Sequence, residues 1–302
     1  MKKNKLLKFI IVIIAVIGYY FYNEFNDNLI DKSEVQNKVI NDDINKSSNN
    51  LEIYFLDVGQ ADSILIRYLD NNILIDAGNN EDGSLLVEYF KSLDISTFNY
   101  AIGTHAHEDH IGGMDNIINS FKIEHYLMPN AISTSKTFED VLDSLENNNV
   151  SVEVPVVDSE FYVGDLKFKV IYVGEDEDDL NNSSIVLKLT YKNTSYLFMG
   201  DATSKVEKEI LDKDIKSDVL KVGHHGSQYS STAHFLKAVE PSFAIIQCGA
   251  GNSYGHPKEV TLNKLNKIGT KIYRTDLDHT IRLISDGSKI SFDTFETNTN
   301  GG

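Results

Sequence analysis

Three histidines and one aspartate fall within six consecutive positions shortly after the apolar run Tyr100–Gly103: they are His105, His107, Asp109 and His110. Imidazole and carboxylate groups suit Zn²⁺ and neighbouring first-row cations, and such a cation with open coordination positions lowers the pKa of bound water to about 7. Side chains two residues apart in an extended chain point the same way. We therefore expect His105 and His107 to face one metal ion. The next two ligand-type residues, Asp109 and His110, are expected to turn toward a second ion.

Other candidate ligands also follow apolar runs, and ligands bind at the carboxyl ends of strands in open α/β sheets. Asp201 comes after such a run and a glycine, so its carboxylate is placed either to bridge two cations or to cap a helix. Asp76 has the same context and either orients a metal-ligating histidine or serves as a turn residue. His224 and His225 precede a glycine that lets the backbone approach an anion, and His256 adds a further imidazole. Together these residues predict one metal-dependent site built from several strand ends.

The elements that must position these residues begin at Leu51 and alternate between short apolar runs and helical periodicity. The predicted strands are Leu51–Val58, Ser63–Tyr68, Asn72–Ile75, Tyr100–Gly103, Ser184–Tyr191, Ser195–Met199, Asp218–Val222, Phe243–Gln247 and Lys271–Arg274, with short strands between Ile123 and Val173 and a final hairpin around Asp286 and Gly287. The predicted helices are Ser84–Leu93, Met114–Ser120, Thr137–Asn147, Lys205–Leu211, Thr232–Val239 and Glu259–Lys267. Because strands are followed by helices in both halves, the pattern predicts a sandwich of two sheets covered by helices.

The chain is acidic and poor in cysteine. It has 302 residues, a formal net charge of −17 and one cysteine, Cys248, which alone cannot form an internal disulfide. Binding of nucleic acid over a broad surface without sequence preference normally needs many basic residues, so the negative net charge argues against such binding. The net charge does not exclude a local basic cleft or a divalent metal ion that binds a phosphate. About 250 residues remain after the N-terminal segment, which fits one large α/β domain.

The first 22 residues have the pattern of a membrane anchor. Lysines precede and interrupt an apolar run from Leu6 to Phe21, and tyrosines close it. No small-residue cleavage site follows, so we predict an uncleaved anchor over residues 1–22, with a removed signal peptide as the alternative. A polar linker is predicted over residues 23–50 and a folded domain over residues 51–302. The domain would then lie outside the cytoplasmic membrane on a single-pass anchor, or be secreted if the segment is removed.

Seven motifs recur in order along the folded domain: they are Phe55–Ser63, Leu74–Gly78, Thr104–Gly113, Asn181–Ser184, Gly200–Asp201, Val222–Ser227 and Asn252–Pro257. In this order they resemble the metallo-β-lactamase superfamily, and more narrowly the hydrolase domain of ComEC-type competence proteins. The resemblance covers the chain from about Leu51 to Ser291. It implies an αββα sandwich of two mixed β-sheets flanked by helices, with a metal site at the shared sheet edge.

The resemblance also implies roles for individual residues. The implied metal ligands are His105, His107, Asp109, His110, Asp201 and His225, with Asp201 bridging two ions. Zn²⁺ is the expected metal, with two sites. The residues expected to act on the substrate are Asp109, His224 and His256. We expect His225 to be a ligand and His224 to contact the substrate, with His256 as the rival for either role.

Two departures from the family pattern limit what is carried over. Members of the superfamily usually have another histidine ligand ahead of the bridging aspartate, where this chain offers only Asn182. The first metal is therefore expected to be exchangeable, with Mn²⁺ an alternative to Zn²⁺. ComEC-type proteins also contain a channel domain with many membrane spans, whereas this chain has one predicted span. DNA transport is therefore not carried over.

The function expected from these observations is metal-dependent hydrolysis of a phosphodiester by a metal-bound hydroxide. The expected substrate is DNA or a cell-wall polymer, and no protein partner is predicted. Two alternatives remain open for the function of the folded domain. It is either a non-catalytic, metal-stabilised module that binds DNA or an envelope polymer, or a phosphorylcholine esterase that acts on the cell wall. A further alternative is a structural protein tethered to the membrane.

Overall fold

A computed structural model of the chain describes residues 49–176 and 178–297. The compact unit Asn50–Gly302 contains every element given below. The predicted anchor over residues 1–22 and nearly all of the predicted linker over residues 23–50 lie outside the described residues. Within the two described ranges, no helix is both long enough and apolar enough to span a bilayer.

The strands of these ranges form two mixed sheets, one of eight strands and one of seven. The first sheet contains β1 (Leu51–Phe55), β2 (Ser63–Tyr68), β3 (Asn71–Ala77), β4 (Thr97–Ile102), β5 (Lys122–Leu127), β6 (Val152–Glu153), β14 (Thr280–Ser285) and β15 (Ile290–Phe295). Its order is β15-β14-β1-β2-β3-β4-β5-β6. Neighbouring strands are antiparallel from β15 to β3 and parallel from β3 to β6.

The second sheet has a related arrangement. It contains β7 (Glu160–Val163), β8 (Leu166–Tyr172), β9 (Val186–Tyr191), β10 (Thr194–Phe198), β11 (Val219–Lys221), β12 (Phe243–Ile246) and β13 (Lys271–Arg274). Its order is β13-β12-β11-β10-β9-β8-β7. The strands are antiparallel from β7 to β10 and parallel from β10 to β13. The parallel strands of each sheet need crossover connections, which the helices supply.

The helices are α1 (Gly83–Ser92), α2 (Glu108–Ile111), α3 (Met114–Ser120), α4 (Lys136–Asn147), α5 (Ser204–Glu209), α6 (Ala233–Val239), α7 (Glu259–Lys267) and α8 (Thr275–Asp278). Several begin at a capping hydroxyl. Ser135 Oγ accepts a hydrogen bond from the Phe138 N–H at the start of α4, and Thr232 Oγ1 does the same for the Phe235 N–H at the start of α6.

Three apolar layers hold the helices and sheets together. Alternation along β1 shows how they form: Ile53 and Phe55 pack between the two sheets, whereas Tyr54 packs under the helices of the first sheet. On the far side of the second sheet, residues such as Val206 and Leu236 pack α5 and α6 against its outer face. The layer order is therefore helix, sheet, sheet, helix, which agrees with the predicted two-sheet sandwich.

The predicted elements are found with shifts of a few residues, as the first strand shows. The predicted strand over Leu51–Val58 is too long because β1 ends at Phe55. The chain then enters a loop in which Gly59 has a φ of 67°, a conformation that glycine adopts at little cost. The loop closes where the Leu56 N–H donates to the Ser63 carbonyl at 3.0 Å. This turn brings the following residues back to the sheet edge.

The two sheets meet along the edge at which β3, β4, β10 and β11 end. The Ile185 N–H, just before β9 of the second sheet, donates to the Thr104 carbonyl beyond β4 of the first at 2.9 Å. The Gln247 side chain after β12 donates through Nε2 to the carbonyls of Leu56 and Ser63, both at 2.9 Å. Loops from both sheets are thereby held together at one edge of the sandwich.

Candidate metal centre

Extended chain beyond β4 supplies two imidazoles to this edge. His105 Nε2 lies 3.0 Å from His107 Nδ1, so the two nitrogens face the same small volume. His105 is buried and His107 is half-buried. The structure thus brings together the pair of side chains whose spacing predicts a shared metal ion.

The imidazole of His110 has different contacts from those of His105 and His107, because helix α2 begins at Glu108. His107 has extended backbone angles and precedes the first residue of the helix. The ring of His110 is fully buried, with Nδ1 2.8 Å from Asp76 Oδ2 and Nε2 3.3 Å from Asp201 Oδ1. Asp76 also accepts hydrogen bonds from the backbone N–H and the hydroxyl of Thr104. Asp76 therefore orients the ring of His110, one of the two roles considered for it from the sequence.

The second sheet contributes Asp201 after β10 and His225 after β11. His225 Nε2 lies 3.2 Å from Asp109 Oδ2 and 3.4 Å from Asp201 Oδ2, while its Nδ1 faces the Gln247 carbonyl at 3.0 Å. His224 and His225 both have left-handed backbone angles, with φ of 53° and 50°. Such angles cost on the order of 1–3 kcal/mol in residues other than glycine and persist where the surrounding structure enforces them. The strained turn presents the two adjacent rings in different environments, one buried and one partly exposed.

Four residues from the two sheets form a cluster that fits a divalent cation. One ligand atom from each lies within 4.8 Å of the others: they are Asp109, His110, Asp201 and His225. Over the described ranges, His110 Nε2 and Asp201 Oδ1 are buried without a hydrogen-bond partner. Such atoms are costly to bury, and a cation between them would satisfy both. Two imidazoles and two carboxylates form a donor set that suits Zn²⁺ or Mn²⁺.

A hydroxyl group lies next to His105 and His107, which are called the first pair below. Asn182, the residue considered from the sequence, points away from the pair, because its Oδ1 accepts from Thr203 Oγ1 at 2.6 Å. Ser184 faces the pair instead: its Oγ lies 3.5 Å from His105 Nδ1 and accepts from the Asp201 N–H at 3.1 Å. The side chain beside the first pair is therefore that of Ser184 and not that of Asn182. A metal ion at the first pair would have fewer strong protein ligands than one at the four-residue cluster.

The cluster is strongly charged in the metal-free chain. Burial disfavours a charged His225, but the carboxylates of Asp201 and Asp62 outweigh it and raise the pKa of His225 to about 10. Burial also disfavours a charged His110, but the Asp201 carboxylate outweighs burial and holds the pKa of His110 well above its usual value. Burial would raise the pKa of Asp201, yet the two imidazoles keep it well below its usual value. For His105, burial dominates and lowers the pKa well below its ordinary range.

These shifts predict that metal affinity rises with pH. A histidine must lose its proton to bind a metal ion, and the raised pKa of His225, about 10, means that a proton competes with the metal throughout the neutral range. We expect the dissociation constant for Zn²⁺ to fall by at least roughly tenfold per pH unit between pH 6 and pH 9, because both His225 and His110 must release a proton on binding. Calorimetry in buffers of different ionisation enthalpy measures both quantities. A pH-independent affinity would contradict the charge balance described above.

Two further histidines lie toward the solvent side of the cluster. His224 Nε2 is 3.8 Å from Asp201 Oδ2, and the ring is partly exposed. The ring of His256 lies 5.8 Å from that of His224 and stacks on the exposed ring of Tyr254. Burial, reinforced by His224, lowers the pKa of His256 to about 4. The structure therefore places His225 inside the four-residue cluster and leaves His224 and His256 outside it.

Sequence reasoning missed one pair of charged residues behind the cluster. Asp62 and Lys221 are both fully buried, with Lys221 Nζ 2.6 Å from Asp62 Oδ2. Burial disfavours a charged Asp62, but Lys221 outweighs it and lowers the pKa of the carboxyl. One signal was available in the sequence, because Lys221 interrupts the apolar run Val219–Val222 and lysine is almost never fully buried unless paired.

The chain is similar in sequence to known proteins and in fold to solved structures. The chain is 29% identical over 252 residues to ComE operon protein 3 of Bacillus subtilis (strain 168) and 26% identical over 252 residues to Competence protein ComA of Neisseria gonorrhoeae. These alignments cover 76% and 78% of this chain but 32% of each relative, so the chain spans about a third of their length. Among solved structures, the metallo-beta-lactamase fold protein YhfI from Bacillus subtilis superposes with a TM-score of 0.52 at 8% identity, covering 80% of this chain and 100% of that one.

The resemblance inferred from the seven motifs is confirmed by these matches. A family model described as the metallo-beta-lactamase superfamily matches residues 56–249, which include both histidine motifs and Asp201. The matched range begins in the loop after β1 and ends just beyond β12, so it contains the sheet edge at which the cluster lies. The chain therefore belongs to the metallo-β-lactamase superfamily and has the fold of its metal-dependent hydrolases.

Proposed function

We propose that the chain is a phosphodiesterase that depends on divalent metal and acts outside the cytoplasmic membrane on an N-terminal anchor. The observation that carries this proposal is the cluster at the sheet edge, in which Asp109, His110, Asp201 and His225 present ligand atoms within 4.8 Å of one another. Its ligands come from both sheets, so the folded sandwich itself assembles the site. The exposed side of the cluster has room for hydrolytic chemistry because Asp109 and His224 are partly accessible to solvent.

The proposed ligands fall into two groups that share one carboxylate. The four-residue cluster would hold one cation, and His105 with His107 would hold a second next to Asp201. A bound divalent cation would lower the pKa of a bound water molecule and place positive charge next to the phosphate. Zn²⁺ is the proposed metal and Mn²⁺ the alternative, since imidazole and carboxylate ligands accommodate both.

The chain's own residues would position the substrate and move the protons. Asp109 would accept the proton of the attacking water as the new bond to phosphorus forms. His224 would donate a proton to the leaving oxygen as the old bond breaks, because its Nε2 lies beside Asp201 and its ring is partly exposed. His256 is the weaker candidate for donor, since its low pKa, about 4, leaves it neutral at pH 7. His256 is better placed to contact the substrate.

The identity of the substrate is proposed from the relatives and from charge. Two competence proteins are among the relatives, which supports DNA or another phosphodiester. The net charge of −17 disfavours a long basic track for nucleic acid. We therefore propose recognition of a phosphodiester at the metal centre itself, in DNA or in a cell-wall polymer.

The proposal is tested with the whole chain, stripped of metal with a chelator and reloaded with Zn²⁺ or Mn²⁺. The substrates are bis-p-nitrophenyl phosphate, single-stranded DNA and a phosphocholine ester, assayed in parallel. We expect turnover of the first two in the metal-loaded protein and none in the stripped protein, with recovery on reloading. His125→Ala is a matched control, because this half-exposed histidine pairs with Glu153 outside the cluster. Stoichiometric metal binding without turnover of any substrate would instead favour a binding module.

A further inference from the structure

The buried pair Asp62–Lys221 has no role in the mechanism above, yet it lies directly behind the metal cluster. Lys221 is the last residue of β11 in the second sheet, and Asp62 immediately precedes β2 in the first. The ion pair therefore joins the two halves of the sandwich at the edge where both supply ligands. Lys221 Nζ also donates to the Val222 carbonyl at 3.1 Å, which holds the ammonium group in place.

Asp62 contacts two members of the metal cluster in two different ways. Its backbone N–H donates to the Asp109 carbonyl at 3.0 Å, which ties down the start of helix α2. Its side-chain Oδ1 lies 3.3 Å from His225 Nδ1, on the side of the ring opposite the cluster, next to the Gln247 carbonyl that lies 3.0 Å from the same nitrogen. Its other oxygen, Oδ2, is held by Lys221 at 2.6 Å. One residue thus links Asp109 of the first sheet to His225 of the second.

Stability alone gives a weak reason for such a pair. Burying two charges carries a desolvation penalty, and replacing a buried ion pair with neutral side chains of similar volume is often neutral or stabilising. Carboxylates behind metal-ligating histidines, in contrast, fix the orientation and basicity of the ring. The geometry of Asp62 fits this second use, because its Oδ1 places a negative charge 3.3 Å from the ring nitrogen of His225 that also faces the Gln247 carbonyl.

We propose that Asp62, held in place by Lys221, is a positioning residue that sets the distance between Asp109 and His225 and so controls metal affinity at the four-residue cluster. This inference rests on the proposed metal-dependent function. Asp62 acts through two ligands and does not itself touch the substrate. Lys221 acts one step further away, as a fixed internal cation that keeps the carboxylate from turning toward the metal.

The test removes both charges together so that neither is left buried without a partner. The variant is the double substitution Asp62→Asn with Lys221→Met in the whole chain. The matched control is Lys188→Met with Asp214→Asn, an ion pair with an N–O distance of 2.8 Å that starts from β9 of the same sheet. Zn²⁺ affinity is measured against a chromophoric chelator, and Co²⁺ loading gives an absorption spectrum that reports the ligand geometry.

We expect the Asp62/Lys221 variant to bind Zn²⁺ about 10–100-fold more weakly, with a changed Co²⁺ spectrum, and the control to bind as the unchanged chain does. Equal affinity and an equal spectrum in the variant would overturn the inference. If the double variant does not fold, Asp62→Glu is the deciding change, since it keeps the ion pair but moves the carboxylate relative to His225. Unchanged Zn²⁺ binding by Asp62→Glu would then overturn it.

The same experiment separates this inference from the proposed function. An unchanged chain that binds no Zn²⁺ at all would overturn the proposed metal site and this inference with it. An unchanged chain that binds Zn²⁺ with the same affinity as the Asp62 variants would leave the metal site intact and overturn the positioning role alone.

Discussion

Replacing Asp201 with asparagine is expected to abolish metal-dependent hydrolysis, with a fall in kcat/KM on the order of 10³-fold or more. The reason is its central position. Asp201 Oδ1 lies 3.3 Å from His110 Nε2 and its Oδ2 lies 3.4 Å from His225 Nε2, so one carboxylate serves ligands from both sheets. An amide of the same shape keeps the packing but removes the negative charge that both metal positions would share.

Metal content and thermal unfolding show whether the loss comes from the metal. We expect Asp201→Asn to retain less Zn²⁺ and to lose most of the rise in Tm that Zn²⁺ gives the unchanged chain, because binding to the folded state stabilises it. Asp218→Asn is the matched control: its carboxylate accepts from Ser195 at the opposite end of the same sheet. Full activity in Asp201→Asn would exclude the bridging role, and retained binding of DNA or envelope polymer without turnover would favour a binding module.

Local sequence patterns were sufficient to predict where most of the strands and helices lie. Strands such as Ser63–Tyr68 were predicted with the bounds that the structure shows, since their alternation and flanking turn residues are local properties. The order of the strands was not predictable in the same way. For example, β14 pairs with β1 although Phe55 and its partner Ile281 are far apart in the chain. Such pairings depend on how whole layers cover one another, which local periodicity does not record.

The candidate site was likewise predictable where spacing alone decides the geometry. The two-residue spacing of His105 and His107 was enough to predict their pairing. Choosing among His224, His225 and His256 required the folded backbone, because two consecutive left-handed residues decide which ring enters the cluster. The Asp62–Lys221 pair joins two sheets through a contact between residues distant in sequence, so the lysine within an apolar run signals a buried pair but does not identify its partner.

His107→Ala is expected to separate the two metal positions. The four-residue cluster does not include His107, whereas the first pair depends on it and has only the Ser184 hydroxyl beside it. We expect the variant to bind one metal ion per chain instead of two, and to lose activity by about 10²-fold or more if both ions act on the phosphate. Metal analysis after gel filtration, together with turnover of bis-p-nitrophenyl phosphate, measures both effects.

The outcome would distinguish a two-metal enzyme from a one-metal enzyme on the same scaffold. One retained ion with lost activity would mean that the weakly ligated position is needed for catalysis, and that its occupancy responds to free metal concentration. One retained ion with full activity would contradict the two-metal mechanism and assign catalysis to the four-residue cluster alone. His125→Ala serves again as the control, since a histidine outside the cluster should change neither metal content nor rate. Because the hydroxyl of Ser184 lies beside His105, Ser184→His is the reciprocal change, expected to tighten metal binding at the first position rather than to abolish it.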